Sequence, residues 1–123
     1  MTNMLDFNEA ETQTIRDFVN NRWKKATIEL HPADIETKLS AYSEEMTECP
    51  AIFWNHEDCS FIVIKTGENQ YRCQFFYSPH EQYGTGINEY NDLEKCVTSL
   101  LQVQADHDSI RSGSFPDQPS PAN

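Results

Sequence analysis

Three short runs of β-branched and aromatic residues, Ala51–Trp54, Phe61–Lys65 and Tyr71–Tyr77, limit what this chain can fold into more than any other feature. Residues of these types fit a pleated, half-buried surface. Between the runs stand Asn55-His56-Glu57-Asp58 and Gly67-Glu68-Asn69, which turn a chain readily. Short runs with tight turns predict three antiparallel strands joined in sequence, a meander over about 51–77. In the middle run Phe61 and Val63 point one way, Ile62 and Ile64 the other. Apolar residues on both faces predict a strand covered on both sides, or partly covered by a partner.

Around the meander the apolar spacing turns helical. Ile15, Phe18, Val19, Arg22 and Trp23 recur as one helix face and predict a helix over about 8–24. Asn8 suits its N-cap, and Glu9 and Glu11 fall in the first turn, where the helix dipole favours acids. Ala26, Ile28 and Leu30 alternate like a short strand over 26–30. Pro32 suits the first turn of a second helix over about 32–46, with Ile35, Leu39, Tyr42 and Met46 as a narrow apolar stripe. Glu44, Glu45 and Glu48 then sit at its C-terminal end, where acids oppose the dipole. Leu93, Cys96, Val97, Leu100, Leu101 and Gln104 predict a last helix over about 92–105, opened by Asn91 and Glu94 in capping-box spacing. Residues 78–91 read as a long loop, longer than most connections and of the kind that often carries function.

The fold class expected is α+β: one antiparallel sheet of three to four strands packed with helices at about 8–24, 32–46 and 92–105. Residues 1–106 form a single domain in this reading. Residues 107–123 are Pro- and Ser-rich without periodicity and are expected to be a disordered tail. No internal repeat occurs.

The charge is as uneven as the hydropathy. The formal net charge is −11 on 123 residues. Residues 1–25 hold four acids and four bases, so residues 26–123 carry the whole excess. Such a surface repels nucleic acid and anionic membranes and steers toward basic partners. Arg22, Lys24 and Lys25 are the one basic cluster, and they suit the end of a helix. No run is long and apolar enough to span a membrane, and the polar N-terminus lacks a secretory pattern, so the expected location is the cytoplasm.

Catalytic patterns are weak. His56-Glu57-Asp58-Cys59 contains metal-ligand types, but one short cluster without a second ligand pair reads as a polar hairpin turn. His80-Glu81 is a base and a carboxylate side by side, and adjacent residues usually point apart. Gly84-Thr85-Gly86 lacks the third glycine and the context of a dinucleotide fingerprint. Cys49, Cys59, Cys73 and Cys96 form no CxxC motif, and Cys73 and Cys96 read as small buried hydrophobes, so free thiols are expected. No enzyme, metal or cofactor is expected.

Between residues 44 and 58 there are five acids and no base, with Phe53 and Trp54 among them. Acids beside aromatics are the makings of a steered interface. The candidate partner-binding residues are therefore Glu44, Glu45, Glu48, Trp54, Glu57 and Asp58, with His80, Glu81 and Tyr83 from the long loop. The leading expectation is an inhibitor, of the immunity-protein or DNA-mimic kind, that blocks a basic protein, nucleic-acid-binding proteins included. A second is an acidic secretion chaperone or adaptor, which predicts a homodimer with exposed apolar grooves. A third is a small metal-dependent or His/Glu enzyme using His56, Cys59, His80 and Glu81.

Overall fold

In the computed structural model, residues 6–38, 42 and 44–112 are described. The chain begins with α1 (Glu9–Arg22). Five strands follow: β1 (His31–Thr37), β2 (Thr47–His56), β3 (Cys59–Gly67), β4 (Gln70–Ser78) and β5 (Glu81–Tyr83). It closes with α2 (Leu93–Ser112). The strands form one antiparallel sheet in the order β1-β2-β3-β4-β5, a continuous meander. The class is α+β, with five strands instead of three or four and, among the described residues, two helices instead of three.

α1 starts as its sequence dictates. The Asn8 side chain accepts the Glu11 N–H at 2.8 Å, and the Glu11 carboxylate accepts the Asn8 N–H at 2.9 Å, a reciprocal capping box. Glu11 also reaches the sheet. Lys65 Nζ donates to it at 2.9 Å and to the Asp6 carbonyl at 3.1 Å, and the Tyr71 hydroxyl donates to its other oxygen. One carboxylate thus caps the helix and pins it to β3 and β4.

The expected helix over 32–46 is not formed. Residues 31–37 are β1, with His31, Ala33, Ile35 and Thr37 half-buried and Pro32, Asp34 and Glu36 exposed. That alternation has period two, and pairing with residues 47–53 of β2 satisfies the backbone where an isolated polar helix would be marginal. Proline is tolerated because β1 is an edge strand. Leu39, part of the expected stripe, lies outside the described residues. Glu48 belongs to β2, so the unfavourable helix dipole vanishes with the helix.

Other boundaries shift for local reasons. Residues 26–30 join no ladder, although Ile28 and Leu30 still pack against the core. The loop over 78–91 is interrupted by β5 and by the Tyr71–Tyr90 bridge. The N-cap of α2 is Asp92, whose side chain accepts the N–H groups of Glu94 and Lys95, and Asn91 does not serve. α2 runs on to Ser112, so residues 107–112 of the expected tail are helical, while 113–123 lie outside the described residues.

Both helices pack on the same face of the sheet. Trp54, Phe61, Val63 and Phe75 from the strands meet Ile15 and Val19 of α1 and Cys96, Val97 and Leu100 of α2, all essentially inaccessible to solvent. Trp54 and Phe61 stack with ring centroids 5.3 Å apart. Fully burying each such side chain contributes roughly 1.5–3 kcal/mol before entropy. The opposite face carries only a small cluster, Cys49, Ala51 and Ile64, flanked by Ile35 and Ile62. No helix among the described residues is long and apolar enough to cross a membrane.

Candidate functional site

The acids expected to form one surface lie at two ends of the sheet. Glu48 stands near the start of β2, and Glu57 lies in the turn after its last residue. Nine residues of extended chain separate them by roughly 30 Å. Glu44 and Glu45 precede β2 and are exposed. Glu57 and Asp58 form the β2–β3 turn, His80 lies in the β4–β5 turn and Glu81 opens β5, all at the other end. Trp54 is fully buried between the sheet and the helices, so it is withdrawn from any partner. Tyr83 is half-buried, with its ring 4.2 Å from that of His107 and 5.6 Å from that of Phe75.

The first end is the more coherent. Glu36 of β1 stands directly opposite Glu48 of β2, both exposed, and Asp34 lies two residues along on the same face. Like charges opposed across a ladder destabilise it. None of the three carboxylates is ion-paired among the described residues. Tyr42 and Met46, in the connection between β1 and β2, are exposed. This acidic face runs into a recess of about 490 Å³ between α1 and the β1–β2 ladder. Phe7, Leu30, Pro32, Pro50 and Ile52 supply apolar walls, and Asp6, Asp34 and Arg16 stand around it.

Pro50 shapes this end. It has no N–H to offer a neighbouring strand, and the β2–β3 ladder begins one residue later, at Ala51. Residues 47–50 of β2 therefore pair with β1 alone. Asp34 and Glu36 were missed as candidates because the segment read as a helix. The period-two alternation of 31–37 was the signal that finds them.

At the other end Glu57 takes a left-handed backbone with φ +56°. That region costs a non-glycine residue about 1 kcal/mol or more. His56 Nε2 lies 3.9 Å from the Glu57 carboxylate, and its ring lies against Trp23 with centroids 4.7 Å apart. Cys59, paired with His56 across the turn, is buried. Burial pushes its thiol up to about 11, and the nearby Asp58 and Asp108 carboxylates add to this. A thiol held protonated in that way is a poor nucleophile. Among the described residues no three His, Cys, Asp or Glu side chains are placed to hold a metal ion together.

Sequence reasoning also missed a buried polar cluster where α2 crosses β4. Gln104 donates to the Tyr77 hydroxyl at 3.4 Å, and the His107 ring stacks on Tyr77 with centroids 5.6 Å apart. Gln104 Oε1 and His107 Nδ1 have no partner among the described residues. The helical spacing placed Gln104 on the buried face, but His107 fell beyond the expected end of the helix. No known protein family, curated protein sequence or solved structure matches this chain.

Proposed function

We propose that this chain is a small acidic binding module that blocks a basic protein, with the exposed face of the β1–β2 hairpin as the contact. The observation that carries the reading is the Glu36–Glu48 pair with Asp34 beside it. Three carboxylates are held together at a cost to the fold, and none of them is ion-paired among the described residues. A lysine- or arginine-rich surface meeting them would relieve the repulsion and convert a stability cost into binding free energy. The adjoining recess, with its apolar walls, suits one apolar side chain of that partner. A protein whose basic cleft serves nucleic acid offers the matching charge, so the inhibitor would compete with the nucleic acid. Glu44 and Glu45 belong to this surface, and Glu57, Asp58, His80 and Glu81 lie outside it.

The test is capture from the native lysate with the tagged protein, at low and at high salt, identifying what elutes. One basic protein is expected, held at low salt and released at high salt. It is lost on Glu36→Gln with Glu48→Gln and kept on Glu57→Gln with Asp58→Asn. A partner indifferent to salt or to the hairpin change, or no partner at either salt, overturns the proposal.

A further inference from the structure

β1 is an edge of the sheet, and its register fixes which of its backbone groups the ladder leaves over. The two-residue turn Glu57-Asp58 closes on the His56–Cys59 pair, and in such a hairpin the closing pair is a hydrogen-bonded one. Hydrogen-bonded and open positions then alternate along the strand. Even-numbered residues of β2 therefore turn their N–H and C=O groups toward β3, and odd-numbered residues turn theirs toward β1. Thr47, Cys49, Ala51 and Phe53 stand opposite Thr37, Ile35, Ala33 and His31. The residues of β1 whose backbone faces outward are Pro32, Asp34 and Glu36. The prolines agree with this assignment, since Pro32 and Pro50 both fall where the β1–β2 ladder asks for no N–H.

The outer edge thus presents the N–H groups of Asp34 and Glu36 and the carbonyls of Pro32, Asp34 and Glu36. Among the described residues no other backbone group is hydrogen-bonded to it. An unpaired edge is a template for one more strand, and the side chains on it decide which strand is admitted. Asp34 and Glu36 stand on the same face as Glu48, at the very residues whose backbone is left over. A second copy of β1, added antiparallel about a two-fold axis, brings its own Asp34 and Glu36 beside these. A neutral strand leaves the Glu36–Glu48 repulsion as it is. A strand with lysine or arginine at every second position sets a cation beside each carboxylate and relieves it.

We propose that the basic protein is held by strand addition: an extended segment of it, with a cation at every second position, lies antiparallel to β1 and continues the sheet. This rests on the reading of the acidic hairpin as the contact, and it adds how that contact is made. Backbone hydrogen bonds attach the segment, and the alternating charge selects it. Residues directly opposite each other in an antiparallel pair share a face. The cations opposite Asp34 and Glu36 therefore belong to residues whose own N–H and C=O groups bond to β1. The residues between them turn their backbone to solvent.

The experiment titrates the full chain by calorimetry at low salt with a short capped peptide in which lysine alternates with threonine, up to about 1 mM. Methylating the lysine backbone nitrogens removes the donors aimed at β1 and is expected to weaken binding at least about tenfold. Methylating the threonine backbone nitrogens, which face solvent, is expected to leave the affinity within about twofold. Asp34→Asn with Glu36→Gln, both at exposed positions, is expected to weaken the unmethylated peptide at least about tenfold. Equal loss from the two methylations, or loss from neither, overturns the proposal, because loose attraction between charges needs no particular N–H. So does a peptide that does not bind, or one indifferent to the charge change. A chain that sediments as a dimer which the peptide splits overturns it too, since a second copy then holds the edge. Capture of a basic protein that depends on Glu36 and Glu48, without the methylation pattern, sinks strand addition and leaves the proposed function standing. The methylation pattern with no basic protein captured removes the proposed function and leaves β1 as a site for basic strands.

Discussion

The Glu11–Lys65 pair gives the sharpest test of how this fold is held. The two side chains are 13% and 7% exposed, so both charges have left most of their water. Glu11→Ala leaves the Lys65 ammonium with the Asp6 carbonyl as its remaining acceptor, takes the acceptor from the Tyr71 hydroxyl, and opens the capping box. Breaking a buried pair from one side costs about 3–5 kcal/mol. The expected loss is about 4 kcal/mol, on the order of a third of the stability of a typical domain. Removing all three polar partners together, as Glu11→Leu, Lys65→Met and Tyr71→Phe, is expected to cost far less than Glu11→Ala alone. Urea unfolding reads this as a shift of midpoint at constant slope. A loss under about 1 kcal/mol for Glu11→Ala, or a triple variant weaker than the single, would refute the reasoning. The same carboxyl sets a pH dependence. Burial pushes its pKa up, but the hydrogen bonds from Tyr71, Lys65 and Asn8 outweigh burial and hold it below the ordinary 4.5. Its contribution is therefore complete above that value and is lost as pH falls through the lower folded-state value. Glu11→Gln flattens the acid limb of the stability curve over that window.

Three further outcomes follow from the same geometry. Glu36→Gln relieves the opposed pair with Glu48 and raises the unfolding free energy by roughly 0.2–1 kcal/mol in a urea titration, while weakening capture of the basic partner. Asp92→Ala removes the acceptor for the Glu94 and Lys95 N–H groups and lowers stability by roughly 0.5–2 kcal/mol. In thiol labelling of the native protein at pH 8, Cys49, Cys59 and Cys96 react slowly because they are buried, only the half-buried Cys73 competes for the reagent, and all four react once unfolded.

The meander and the two helices were legible in the sequence for a common reason. The strands show as dense runs of β-branched and aromatic residues bounded by turn residues, and the helices as apolar residues repeating near 3.6 along α1 and α2, and local conformation alone reads both patterns. The segment over 31–46 shows where this ends. Ile35, Tyr42 and Met46 fit a helical stripe, while His31, Ala33, Ile35 and Thr37 fit a strand, and the sequence supports both periods. Pairing of β1 with β2 chose between them, and that contact is made with residues up to twenty-two positions away.

The candidate site was legible as composition and not as place. The excess of acid is a property of the chain, fixed before it folds. Which carboxylates share a surface is not. Register put Glu36 opposite Glu48, ten residues of β2 carried Glu57 to the far end, and packing under the helices withdrew Trp54. The alternation of charge along β1 was present in the sequence from the start. It became a charged face and a neutral face only when β2 paired with it, because a strand has no inside or outside until a neighbour and a core define one.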